Sequence, residues 1–183
     1  MSTVTSATAL NPTAASLLGY LALGPMTGWD LDQWVRMSIG NFWNVTRSQI
    51  YRELRTLTTR GYVEAGTSGP RDRVPYTITD AGRAAFREWI AESPGPDLIR
   101  SRLLLTIFFG VHVEPERLRE ILVEQRKEHE GQLQTYKALQ EAIPESERFS
   151  AATLKFGLRY EQAMLDWLKE LEDDLAQEGP GGA

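Results

Sequence analysis

The sequence predicts a mainly α-helical protein: a winged helix-turn-helix domain, made of helices plus a two-stranded wing, followed by an α-helical dimerisation domain. Three observations predict it. The first 93 residues read in the order helix, helix, helix, hairpin, helix. A net positive charge is found over the third helix and the hairpin, in a chain that is acidic elsewhere. Beyond Ser93-Pro94-Gly95-Pro96 the composition turns to helix formers and acids, with apolar residues at coiled-coil spacing. The expected domains are residues 12–93 and 94–178, between tails at 1–11 and 179–183 that are expected to be disordered.

Each element has a local cause. Thr13 to Leu23 carries Leu17, Leu18, Leu21 and Leu23, a short buried helix stopped at Gly24-Pro25. Thr27-Gly28-Trp29-Asp30 is a capping-box pattern that opens a second helix with Leu31, Trp34 and Val35 inward, broken at Gly40-Asn41. Thr46 and Gln49 form another such pattern and open a third helix ending at Gly61. Tyr62 to Ala65 reads as a strand, residues 66–72 as a turn-rich loop, and Val74 to Thr79 as the return strand. Thr79-Asp80 caps a fourth helix through Phe86, Trp89 and Ile90.

In the second half, the run Leu103 to Gly110 (LLLTIFFG) is apolar almost throughout and is expected to be buried on most sides. Pro115 to Ile143 should form one long helix. Its seam of Leu118, Leu122, Gln125, His129, Gln132, Tyr136, Leu139 and Ile143 alternates spacings of four and three. Ala151 to Leu175 repeats the pattern through Leu154, Leu158, Leu165, Leu168 and Leu175, with Glu161 and Glu172 read as solvated edges. One pair of helices cannot easily bury both stripes and Trp167, so a second copy of the chain is the natural partner.

Composition removes several classes of function. The chain has no cysteine, hence no disulfide, thiolate nucleophile or cysteine-ligated zinc. Its two histidines, His112 and His129, lie on different expected helices without metal-ligand spacing, and no phosphate-binding glycine loop is present. The expectation is a protein that is not an enzyme and needs no cofactor or metal. No apolar run approaches the roughly 18 residues of a membrane span, and the start lacks a signal peptide's basic character, so a cytoplasmic protein is expected with no membrane partner. The formal net charge is −5, yet Thr46 to Pro75 holds six arginines against three acids, a local +3 that leaves −8 elsewhere.

That local charge lies where a winged helix would meet a duplex. On the third helix Ile50, Leu54 and Leu57 make an i, i+4, i+7 core stripe, while Ser48, Arg52, Arg55 and Thr59 fall opposite. The helix would enter the major groove, and the arginine-bearing wing would follow the backbone or minor groove.

These residues resemble a known family. Leu18-Gly19-Tyr20-Leu21-Ala22-Leu23-Gly24-Pro25-Met26-Thr27-Gly28-Trp29 is similar to the entry of the PadR family of bacterial transcription regulators, which usually has tyrosine in place of Trp29. Residues 42–54, Gly61-Tyr62-Val63 and Tyr76 to Arg83 resemble that family's recognition helix, its exit, and its wing return. Residues after Pro94 resemble the helical tail of the longer, virulence-activator-like branch. The resemblance implies a homodimer on palindromic double-stranded operator DNA, often a repressor released by a small aromatic or drug-like ligand. It implies base and phosphate contacts from Ser48, Gln49, Tyr51 and Arg52, and from Arg71 and Arg73 in the wing. With the residues placed by the helix itself, the DNA-binding set is Arg47, Ser48, Gln49, Tyr51, Arg52, Arg55, Thr59, Arg71 and Arg73. Two departures stand out: many members have proline at Arg52, and Asp72 lowers the charge of the wing. For an aromatic ligand the candidates are Trp29, Trp34 and His129. His129 also fits a polar residue that fixes helix pairing. The alternative function is a winged-helix module for protein contacts that holds no DNA.

Overall fold

The computed structural model of the chain describes residues 10–68, 73–96, 99–144 and 146–177. These divide between two compact units, residues 1–97 and 98–183. In the first lie α1 (Pro12–Leu21), β1 (Met26–Thr27), α2 (Gly28–Met37), α3 (Arg47–Thr59), β2 (Val63–Ala65), β3 (Pro75–Ile78) and α4 (Asp80–Ala91). In the second lie α5 (Arg102–Phe108), a 3-10 turn over Gly110–His112, α6 (Pro115–Ala142) and α7 (Arg148–Gln177).

Helix starts in the first unit follow side-chain caps. Thr27 and Asp30 close a capping box on α2, and Thr46 and Gln49 close one on α3. Asn11 caps α1, and Leu10 is buried, so these two residues belong to the unit and not to the tail expected to run through residue 11. Leu17, Leu18, Leu21, Leu31, Val35, Ile50, Leu54, Leu57 and Val63 form one core, each nearly or wholly removed from solvent. Trp34, expected inward, is exposed: it lies on the flank of α2 and meets the ring of Tyr20 at 6.4 Å between centroids.

The sheet has three antiparallel strands in the order β1-β3-β2, one more than the expected hairpin. The added strand pairs Met26 with Tyr76 and Thr27 with Pro75. Two residues leave no alternation to read in a sequence, and Thr27 serves at once as strand end and helix cap. In β2 and β3, Val63 faces Ile78 and Ala65 faces Tyr76.

In the second unit Leu103, Leu122 and Leu168 are the buried centre, flanked by half-buried Ile107, Met164, Trp167 and Leu171. The apolar run over α5 is not buried on most sides. Only Leu103 is enclosed, whereas Leu105, Phe108 and Val111 are 61 %, 80 % and 89 % exposed. A seven-residue helix can turn only one stripe toward its own chain, so the rest of the run stays uncovered by it.

Glu161 and Glu172 are not solvated edges. Glu161 is buried and accepts from His129 Nδ1 at 2.5 Å, and Glu172 pairs with Arg126. Both contacts tie α6 to α7. A carboxylate inside a leucine seam is kept there because a cation or imidazole meets it across the helix pair.

Candidate nucleic-acid interface

Helix α3 is docked by one face and presents the other. Ile50, Leu54 and Leu57 are buried, while Ser48, Arg52, Arg55 and Thr59 are exposed. Gln49 Oε1 accepts from the Thr46 amide at 2.8 Å, so this residue is engaged in the cap. Arg55 Nε donates to the Tyr51 carbonyl at 3.2 Å, and Thr59 Oγ1 donates to the Arg55 carbonyl, which leaves both on the helix surface. Arg52 lies 3.6 Å from Glu53, with its own side chain 66 % exposed.

Tyr51 is half in and half out because α2 begins with glycine. A Cβ on Gly28 would stand 2.6 Å from the Tyr51 ring, so only glycine lets the ring lie flat against the start of α2. The residue as a whole stays 39 % exposed, the partial burial that suits an amphipathic ring at a wet boundary.

Two buried carboxylates fix the pose of α3. Glu53 accepts from the Asn11 side-chain amide at 3.0 Å and so joins the middle of α3 to the head of α1. Asp32, on α2, is 1 % exposed and accepts from Arg47 through Nη2 at 2.9 Å and Nε at 3.3 Å, and from Arg36 Nε at 3.2 Å. Burial pushes the Asp32 carboxyl up, but the hydrogen bonds and charges of Arg47 and Arg36 outweigh it. The group stands below the ordinary carboxylate value. A depressed carboxyl stabilises the fold fully above that ordinary value, and the contribution is lost as the pH falls through the lower folded value. Nothing local in the sequence marks Asp32 out, although it lies with Gly28 and Val35 on the inward face of α2.

The wing side of the site is carried by Arg73. Its guanidinium lies 4.7 Å from the Trp29 ring centroid, a cation–π contact that joins the wing to α2. It also helps to hold the Asp30 carboxyl low, after the dominant hydrogen bonds from Thr27. Arg71 lies outside the described residues. The three candidates for an aromatic ligand each have a separate partner. Trp29 faces Arg73, Trp34 faces Tyr20, and His129 belongs to the second unit, where it pairs with Glu161. An open cavity of about 280 Å³ does lie between α2 and α3, lined by Arg36, Asn41, Asn44 and Arg47 with Val35 and Val45, and it includes none of the three. Among the described residues no cluster of His, Asp or Glu could hold a metal ion, and no helix is long and apolar enough to cross a membrane.

Comparison with known proteins follows the same division. Residues 17–88 match the transcriptional regulator PadR-like family, and residues 99–176 match the virulence activator alpha C-terminal family. The chain is 25 % identical over 169 residues to the negative transcriptional regulator PadR of Bacillus subtilis, covering 85 % of this chain and 93 % of that one. The crystal structure of Bacillus subtilis PadR with operator DNA superposes with a TM-score of 0.78 at 23 % identity, covering 90 % of this chain and 99 % of that one. The structure of the same regulator with p-coumaric acid gives 0.74 at 22 % identity, over 89 % and 98 %. These likenesses are to transcriptional regulators and not to enzymes, and the structural ones establish a shared winged-helix fold.

Proposed function

This chain belongs to the PadR family of transcriptional regulators, with a virulence-activator-like C-terminal part, and from that premise we propose that it is a cytoplasmic homodimeric repressor, without enzymatic activity, that holds palindromic operator DNA. The observation that carries the reading is α3 itself. An acidic chain places Arg52 and Arg55 on the exposed face of a helix whose other face is locked in the core. The DNA-facing set is Arg47, Ser48, Gln49, Tyr51, Arg52, Arg55 and Thr59 on α3, with Arg71 and Arg73 on the wing. Helical residues 94–178 supply the dimer. The uncovered apolar residues of α5, together with Phe149 and Phe156 on α7, support this. The repressor assignment follows the negative regulator to which the chain is similar.

Replacing Arg52 and Arg55 together by alanine should leave the circular dichroism spectrum unchanged, since neither side chain enters the core. The slope of log K against log salt should flatten by up to about 0.9 for each phosphate that the variant no longer neutralises. A gel-shift titration against the region upstream of its own coding sequence measures it. Unchanged slope and affinity would remove α3 from the groove and favour a winged helix used for protein contacts.

The ligand is proposed as a small planar aromatic acid, by analogy with the p-coumaric acid held by the Bacillus subtilis regulator. Trp29 and Trp34 are half-exposed reporters. A phenolic acid that binds should quench tryptophan fluorescence and release the duplex at the same concentration. Release without quenching would place the ligand away from both rings, and neither effect across a phenolic series would leave a regulator that needs no ligand.

A further inference from the structure

We propose that Asp32, Arg36 and Arg47 form a preset phosphate clamp, in which one buried carboxylate holds two guanidinium groups at the rim of the α2–α3 cavity, so that Arg36 joins the residues that grip the duplex backbone. The inference rests on the DNA-binding reading above and adds a site to it.

A carboxylate taken out of water needs a cation, and one guanidinium in a bidentate fork is enough to satisfy it. Here there are two. Arg47 occupies Oδ2 with Nη2 and Nε, and Arg36 occupies Oδ1 with Nε. The cluster therefore carries a net +1. It faces outward, because the Arg36 and Arg47 side chains are 64 % and 54 % exposed while Asp32 is sealed beneath them. Both Nη atoms of Arg36 and Nη1 of Arg47 keep no partner among the described residues. The same two arginines line the open cavity beside Asn41 and Asn44, four donor-bearing side chains around one concavity. That donor set matches the oxygens of a phosphodiester.

Place and rigidity point to duplex DNA as the occupant. Arg47 is the first residue of α3, so its guanidinium sits where the recognition helix begins, and Arg36 sits at the end of the preceding helix. In a helix-turn-helix the helix before the reader crosses the backbone. A free arginine loses rotamer entropy when it grips a phosphate, and one already held by Nε loses less. Asp32 is accordingly a positioning residue, and Arg36 and Arg47 are the contacting ones.

The sign of the Asp32 effect is diagnostic. Removing a buried negative charge near DNA should by charge alone tighten binding. If Asp32 positions the clamp, Asp32→Asn should instead weaken it about fivefold or more, by the general weakening that follows from misplaced phosphate contacts. Arg36→Gln alters an exposed side chain and threatens no fold. It should flatten the salt slope by about 0.9 per subunit engaged. Both are read by fluorescence anisotropy on a labelled duplex from upstream of its own coding sequence, with circular dichroism confirming helix content. Unchanged slope and affinity in Arg36→Gln overturns the clamp, as does tighter binding by a folded Asp32→Asn. Should Asp32→Asn not fold, Arg36→Gln decides alone. No binding by the unaltered protein would instead overturn the DNA reading, and the clamp with it.

Discussion

Gly82→Ala should destabilise the N-terminal unit by about 3 kcal/mol or more, the upper range for overpacking a buried site. Gly82 is buried in the first turn of α4, and a Cβ there would stand 2.1 Å from the Tyr62 carbonyl oxygen and 3.0 Å from Ile78 Cγ1. Neither side can yield cheaply. The Tyr62 oxygen already accepts from the Thr79 amide at 3.0 Å, Thr79 Oγ1 donates to the Gly61 carbonyl at 2.8 Å, and the Gly82 amide donates to Thr79 Oγ1 at 3.0 Å. Relief would require α4 to lift from the α3–β2 junction and draw Phe86 and Trp89 away from the core they pack against. For a unit of this size each kcal/mol lowers the midpoint by about 4–8 °C, so thermal melting followed by circular dichroism should show a drop of more than about 10 °C. Gly131→Ala is the matched control. Its Cβ would meet nothing within 4 Å, and α6 should gain up to about 1 kcal/mol from the better helix former. Equal melting of the two variants would show that the junction at Gly82 is looser than its distances imply.

What the sequence makes legible is local. The capping boxes at Thr27 and Thr46 are four-residue signals whose cause and effect share one turn, and both are found closed. The core stripe of α3 is legible for the same reason, since periodicity alone decides which face is covered. What escapes depends on residues far apart in the chain. Asp32 looks like any helix carboxylate until Arg47, fifteen residues away, is seen to reach it. Glu161 stands in the leucine register of α7, and only a partner on α6 reveals that the position is buried. Here the clue is present, because His129 occupies the seam of the facing helix and two polar seam positions can satisfy one another. The apolar run of α5 misleads in the opposite direction. Hydrophobicity says that a surface must be covered but does not say by which chain, and α5 is too short to be covered all round by its own. Arg73 reads in the sequence as a wing cation, whereas its stacking on Trp29 requires the fold to bring positions 44 residues apart together.

Truncation after Ser93 should cost about 10² to 10⁴ in affinity for a palindromic operator. The fragment keeps the helices, the sheet and the buried leucine core of the first unit, so it has what a small domain needs to fold. It also keeps Arg52, Arg55 and the Asp32 cluster. What it gives up is the proposed means of joining two copies. A single module with a local charge of about +3 over Thr46 to Pro75 should hold DNA near the non-specific range, about 10⁻⁴ to 10⁻⁶ M at physiological salt. Joining two modules makes the second contact intramolecular, which accounts for the weaker binding once they are cut apart, and it sets half-sites about one helical turn apart. The exposure of Leu105, Phe108 and Phe149 in a single chain is the structural reason to place that joint beyond Ser93. A water-exposed apolar surface of that kind is stabilised when a second copy covers it, and in the first unit exposed Leu23, Met37 and Ile90 lie apart in sequence, whereas Leu104, Leu105, Phe108, Phe109 and Val111 follow one another along α5 and the turn after it. Analytical ultracentrifugation should show the fragment as a monomer and the full chain as a dimer, and footprinting should show protection of both half-sites by the full chain alone. A fragment that sediments as a dimer and protects the whole operator would move the joint into the N-terminal unit, and the uncovered residues of α5 and α7 would then need a different partner.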